Sequence, residues 1–104
     1  MSDSGEIIIG EMKVAENVLV KMIRESATAV EGVSQIREVS VEPKDNVLVA
    51  DINIIVGHET VYPDVAREVQ KAVAADVNRM TGVNVAEVNV MVERLDFKQG
   101  AGPA

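Results

Sequence analysis

The sequence has no cysteine and no tryptophan, and its only aromatic residues are Tyr62 and Phe97. Without cysteine the chain forms neither disulfides nor zinc–thiolate sites. Its single histidine, His58, makes a poor transition-metal site by itself. Two rings are too few for the stacking platforms of single-strand nucleic-acid binders. The core must therefore be built from Val, Ile, Leu, Ala and Met.

Positive charge is also scarce, since 10 Lys and Arg face 17 Asp and Glu and the formal net charge is −7. Proteins that bind DNA or RNA neutralise phosphates with basic residues, so the balance argues against a nucleic-acid partner. Adsorption to anionic lipid likewise needs basic clusters. The charge suits a protein that stays in solution.

Long apolar runs are missing as well, and none approaches the roughly 20 residues of a membrane span. The opening MSDSGEIIIG is acidic, with only three apolar residues in a row, which is unlike a signal peptide. We therefore expect a cytoplasmic protein with no direct membrane insertion, which reaches a membrane only through a partner. Hydrophobic residues make up 47% of the chain, enough for one packed domain.

The first half begins with a short β-prone run, Glu6–Ile9, that ends at Gly10. From Met12 the apolar residues recur at helical spacing, and Gly32 stands where a left-handed helix cap is expected. This pattern predicts a helix from Met12 towards Gly32. Its apolar positions are Val14, Val18, Leu19, Met22, Ile23, Ala27 and Val30.

Two β-prone runs follow, residues 33–42 and Val47–Val56, joined by the turn residues 43–46. They predict an antiparallel hairpin. In the second run, side chains alternate between two faces. One face holds Leu48, Ala50, Ile52, Ile54 and Val56; the other holds Val47, Val49, Asp51, Asn53 and Ile55.

A second helix is predicted from Pro63, which suits a first helical turn, to Gly82, which suits a helix end. Residues 83–97 then alternate as a final strand. The predicted buried stripe of the helix is Val61, Val65, Val69, Ala72, Val73, Val77 and Met80.

Both halves thus run strand, helix, Gly-Val, strand, which predicts an α+β, two-layer βαββαβ domain of ferredoxin-like type. Right-handed crossovers place both helices on one face of a mainly antiparallel sheet. Because the first strand is short, the sheet is expected to have three full strands and a stub. The domain is predicted to span residues 5–97, with flexible ends at 1–4 and 98–104.

No catalytic constellation is evident. His58 and Glu59 resemble a base or ligand pair, but adjacent loop side chains need not converge, so a solvated loop is expected. Asp51 and Asn53 offer two oxygens where a hard cation wants six or more. A phosphate-binding glycine loop must lie directly before a helix, and no helix is predicted directly after Gly32.

Asp64 and Glu68 lie one helical turn apart, a spacing at which two carboxyl groups can work as an acid–base pair. Lys71 and Arg67 are equally near, so a solvated ion-pair face is expected instead. No cofactor and no metal site is predicted.

The sheet face away from the helices is the candidate for binding a partner, because an exposed apolar patch there would favour association. Association through an edge strand of the sheet is the alternative. The predicted interaction residues are Val47, Val49, Ile55, Met91, Leu95 and Phe97.

With these elements in place, the chain resembles the alkaline shock protein family of Gram-positive bacteria. The resemblance rests on GEIII at residues 5–9, the Glu31-Gly32-Val33 junction, PDVA at 63–66, MTG at 80–82 and VNV at 88–90. It covers roughly residues 5–92. The family tends to have Tyr-Gly before the second helix, where this chain has His58-Glu59.

The resemblance implies a small non-enzymatic protein of the stress response and cell-envelope homeostasis. It implies action through self-association and protein partners, including a membrane-anchoring protein for some members. Two alternatives stay open. One is a small-molecule-sensing regulatory domain, for example linked to lipid metabolism. The other is a small enzyme that uses His58 and Glu59.

Overall fold

The computed structural model describes residues 5–57 and 62–94. The elements are β1 (Glu6–Ile9), β2 (Met12–Ala15), α1 (Glu16–Thr28), β3 (Val33–Lys44), β4 (Val47–Val56), α2 (Tyr62–Thr81) and β5 (Asn84–Arg94). The α+β class is confirmed, and the order of elements is the predicted βαββαβ with one added strand, β2. Residues 95–97 of the predicted last strand lie outside the described residues.

Within the described residues, the main sheet has three strands in the order β3-β4-β5. β3 and β4 form the predicted antiparallel hairpin. β5 runs parallel to β4, because α2 carries the chain back along the sheet before β5 begins.

The prediction of a helix from Met12 is wrong over its first four residues. Met12–Ala15 is a strand that pairs with β1, and α1 begins at Glu16, whose backbone N–H donates to the Gly5 carbonyl at 2.9 Å. The two strands form a sheet of their own, so the predicted stub does not join the main sheet. Ile7 and Ile9 are buried in the core, which is what fixes this hairpin.

The tips of the two hairpins touch each other. Gly10 turns the first hairpin with a φ of 63°, and its N–H donates to the Asp45 carbonyl at 3.0 Å. A Cβ on Gly10 would lie 3.1 Å from the Cβ of Asn46, so only glycine fits here without strain. The second turn is shorter than predicted, because Pro43 and Lys44 belong to β3. Proline is tolerated there because β3 is an edge strand.

One hydrophobic core lies between the helices and the sheet, so the placement of both helices on one face is confirmed. Every inner-face residue predicted on β4 is buried. On α2 the buried stripe recurs every fourth residue at Val65, Val69, Val73 and Val77.

Two apolar residues that the periodicity assigned to the core are exposed, Val18 at 48% and Met80 at 55%. Val18 lies to one side of the buried residues of α1, and Met80 lies in the last turn of α2, one residue before the helix ends at Thr81. Val61, also predicted in the α2 stripe, lies outside the described residues.

The ends of the two helices differ. Gly82 has a φ of 81° and donates its N–H to the Asn78 carbonyl at 2.8 Å, so it ends α2 as predicted. Gly32 also has a positive φ, of 99°, but α1 has already ended at Thr28 with Ala29 as its cap. Gly32 therefore turns the chain into β3 and is not the helix cap.

A polar contact joins the two helices. The Ser26 hydroxyl of α1, only 7% exposed, donates to Oδ2 of Asp76 on α2 at 2.6 Å. Arg79 Nη2 donates to the other carboxylate oxygen of Asp76 at 2.7 Å. These two hydrogen bonds hold the pKa of Asp76 below its ordinary value, although partial burial acts in the opposite direction.

Candidate interaction surface

The face of the main sheet that points away from the core is called the outer face here. Strand pairing arranges it in five rows, each with one residue from β3, β4 and β5. The rows are Lys44, Val47 and Asn84; Glu42, Val49 and Glu87; Ser40, Asp51 and Asn89; Glu38, Asn53 and Met91; Gln35, Ile55 and Glu93. Within residues 5–57 and 62–94, both helices lie on the opposite, inner face.

The structure brings four of the six predicted interaction residues onto the outer face. Val47 and Ile55 are half-buried, Val49 is only 6% exposed, and Met91 is 59% exposed. Val47 and Val49 lie in neighbouring rows at one end, and Ile55 and Met91 in neighbouring rows at the other. A row centred on a carboxylate separates the two apolar groups. Leu95 and Phe97 lie outside the described residues.

Among the residues that the structure describes, two polar side-chain contacts cross the outer face. Arg37 Nη1 donates to Glu93 Oε1 at 3.0 Å, which carries the Arg37 side chain from β3 across β4 to β5. Asn89 Nδ2 donates to Asp51 Oδ1 at 3.0 Å. Strict alternation along β3 would place Arg37 on the same face as Val39, but a register shift between Ile36 and Glu38 lets it point outward. The sequence carries no local signal of that shift.

Each edge strand of the main sheet has a backbone carbonyl that accepts a hydrogen bond from a helix side chain. On β5, the Val88 carbonyl accepts a hydrogen bond from Gln70 Nε2 of α2 at 2.9 Å. On β3, the Ile36 carbonyl accepts one from Arg24 Nη1 of α1 at 3.2 Å. Register shifts also interrupt β3 twice and the β4–β5 pairing once. Occupied carbonyls and bulges hinder strand addition at an edge, which favours the outer face for association.

We expect Gln70→Glu to lower the free energy of unfolding by about 1 kcal/mol, because an ionised carboxylate cannot donate a hydrogen bond to the Val88 carbonyl. Urea unfolding near neutral pH measures the loss. The control is Gln35→Glu, the same substitution with the same change of charge at an exposed position of β3. An equal loss in both variants would show that the Gln70 hydrogen bond does not support the edge.

The other polar candidates occupy ordinary surface positions. Asp64 pairs with Arg67 at 3.2 Å, and Glu68 with Lys71 at 3.8 Å, so the predicted solvated ion-pair face is confirmed. His58 and Glu59 lie outside the described residues. Among the residues that are described, no three acidic or histidine side chains gather as metal ligands would.

A cleft of about 780 Å³ opens between the α1–β3 connection and the first half of α2. Val30, Val65 and Ala72 form its apolar part, and Lys71 lies at its rim with three carboxylates. The lining carboxylates are Glu31, Asp64 and Glu68. A site of this kind fits a small ligand better than a strand or helix of a partner.

None of the described helices is both long and apolar enough to cross a membrane. The model of the alkaline shock protein family, described as having a "cell envelope-related function", matches residues 34–97. The match covers most of the main sheet and all of α2. No curated protein sequence matches the chain significantly.

The fold is similar to solved structures of the MamM C-terminal domain. A doubly substituted variant has a TM-score of 0.65 at 20% identity, over 76% of this chain and 82% of that chain. A second structure has a TM-score of 0.58 at 24% identity, over 76% of this chain and 98% of that chain. A manganese form of another variant has a TM-score of 0.57 at 23% identity, over 76% of this chain and 98% of that chain. At these identities the similarity shows a shared fold alone.

Proposed function

Because the chain belongs to the alkaline shock protein family, whose function is cell envelope-related, we propose that it is a non-enzymatic stress-response protein of envelope homeostasis. It acts through protein–protein interaction and self-association. It works in the cytoplasm and meets the membrane through a partner protein that is anchored there.

The outer face is the observation that carries this proposal. It is broad and free of helices within the described residues, and it ends in two apolar groups. Met91, 59% exposed beside half-buried Ile55, is the most accessible apolar side chain on it. Exposed apolar groups with polar surroundings are typical of protein interaction sites.

Light scattering behind a sizing column tests the self-association from micromolar to near-millimolar protein. We expect the wild type to associate weakly, and Met91→Ser to weaken that association about tenfold, because truncating an interface anchor commonly costs that much.

Met80→Ser is the matched control. Met80 is a methionine of similar exposure, 55%, but it lies on α2 in the helix layer. If both substitutions change the association equally, the outer face is not the contact. If the wild type stays monomeric and a tagged protein captures no partner from cells, the proposal as a whole is wrong.

A second candidate, the small-molecule-sensing domain, draws its support from the cleft beside Val30 and Lys71. A ligand that binds only the folded state raises its melting temperature. A thermal-shift screen of metabolites, including acyl chains, tests it on the wild type and on Ala72→Trp, which fills the cleft. A stabilisation that Ala72→Trp abolishes would favour this function; no stabilisation would end it.

A further inference from the structure

We propose that the outer face docks an extended, positively charged segment of a partner protein in which the side chains that face the sheet are apolar residues flanked by Lys or Arg. The inference rests on the proposed function and specifies the kind of partner.

The charges of the outer face are unevenly placed. Its two cations among the described residues, Lys44 and Arg37, lie towards opposite ends, and Arg37 is already paired with Glu93. The three middle rows contain no cation. They hold the carboxylates of Glu38, Glu42, Asp51 and Glu87.

One of these rows has a geometry that selects a particular ligand. Glu42 and Glu87 flank Val49 on its two sides, in register with it on the neighbouring strands. Adjacent strands lie about 4.8 Å apart, so the two backbones are separated by about 10 Å with an apolar residue between them. In an extended segment only every second side chain faces the sheet. An apolar side chain beside Val49, which is itself only 6% exposed, with one cation two residues before it and another two residues after it, would satisfy all three positions.

A second copy of this chain is a poorer occupant of the same face. A two-fold interface sets a surface against itself, so four carboxylates would meet four carboxylates. The repulsion falls as salt screens it. Self-association through this face should therefore strengthen with added salt, and binding of a basic segment should weaken. The two occupants compete, and the basic one is favoured at low ionic strength.

Addition of the partner as an extra strand at an edge is less favourable. Gln70 occupies the Val88 carbonyl on β5, and Arg24 occupies the Ile36 carbonyl on β3. The segment therefore lies across the outer face instead of extending the sheet.

The probe is a fluorescent peptide of ten residues, matched in length to the ten residues of β4, in which every second residue is alternately lysine or leucine and serine fills the positions between them. The same peptide with glutamate in place of every lysine controls for apolar binding alone. Fluorescence anisotropy gives the affinity at low and moderate salt. We expect measurable binding of the lysine peptide, weaker with salt, and at least about tenfold weaker binding of the glutamate peptide.

The double variant Glu42→Gln/Glu87→Gln should bind the lysine peptide about tenfold more weakly. Glu16→Gln/Glu25→Gln is the matched control, because it changes net charge equally at two exposed positions of α1. Amide chemical shifts should move at Glu42, Val49 and Glu87.

Equal losses in the two double variants, or shifts confined to the helices, would overturn the inference, since binding would then follow net charge alone. If the lysine peptide fails to bind while Met91→Ser still disrupts self-association, the basic partner is wrong and the proposed function stands. If neither the peptide binds nor the protein associates, both are wrong.

Discussion

Ile54→Ala is expected to lower the free energy of unfolding by about 3–4 kcal/mol, the largest effect of any single change considered for this protein. Ile54 lies on the central strand β4, is fully buried, and points into the core between the helices and the sheet. Its truncation removes apolar burial and leaves a cavity that central-strand backbone cannot easily close. A domain of this size has only about 5–15 kcal/mol of stability in total.

Its neighbour Ile55 provides a control on the same strand. Ile55 is half-buried and points to the outer face, because successive side chains of a strand face opposite ways. Ile55→Ala removes the same atoms but should cost only about 1 kcal/mol. It should instead weaken self-association, as Met91→Ser does.

Urea unfolding of the two variants measures both free energies, and light scattering measures the association. The melting temperature of Ile54→Ala should fall by at least about 10 °C, given about 4–8 °C per kcal/mol for a domain near this size. Similar losses of stability in both variants would contradict the assignment of Ile55 to a face without helices.

Ser26→Ala is expected to lower the free energy of unfolding by about 1–2 kcal/mol near neutral pH. Ser26 is buried and its hydroxyl donates to the Asp76 carboxylate at 2.6 Å, the contact that joins α1 to α2. Hydrogen bonds to charged groups are worth about 1.5–3 kcal/mol. The lower range applies because the Asp76 side chain is 31% exposed, so water can replace part of the bond.

This contribution should depend on pH with a definite sign. The Ser26 hydroxyl, followed by the Arg79 guanidinium, lowers the pKa of Asp76 in the folded protein. A carboxyl with a lowered folded pKa stabilises the fold at pH values above its unfolded pKa, about 3.9. That stabilisation is lost as the pH falls through the folded pKa. The difference between wild type and Ser26→Ala should therefore shrink on acidification.

Unfolding by urea at about pH 7 and about pH 3 measures the change. Thr28→Ala is the control, because Thr28 is another α1 hydroxyl but bonds the Arg24 carbonyl of its own helix at 2.7 Å. Its effect should be small and the same at both pH values. A Ser26→Ala loss that does not change with pH would mean that the Asp76 charge does not carry the contact.

Several elements were predictable from the sequence because their signals are local. The alternation in β4 assigned Ile54 to the core and Asp51 to the other face, because successive side chains of a strand point to opposite faces of the sheet. The stripe that begins at Val65 identified α2, and Gly82 marked its end. Where the apolar pattern and the secondary-structure preference of the residues agree over many positions, the predicted element forms as expected in the folded domain.

The misassigned segment, Met12–Ala15, is one in which a short pattern fits two structures. Its apolar residues suit both the first turn of a helix and a short strand. The strand forms because Ile7 and Ile9 of its partner β1 reach the core, and because Gly10 meets the second hairpin at Asn46. These contacts join residues far apart in the chain, so no local window contains them.

The α+β class, the hairpin of β3 and β4, the apolar face of α2 and the excess of carboxylates all follow from the order of amino acids without any coordinates. Each depends on side-chain periodicity, turn chemistry or composition, which act over a few residues or over the whole chain. Three-dimensional packing was needed to reveal that Glu42 and Glu87 flank Val49, that Arg37 reaches Glu93, and that helix side chains occupy edge carbonyls. Those arrangements depend on strand register and bulges, which are set by long-range packing of backbone against backbone.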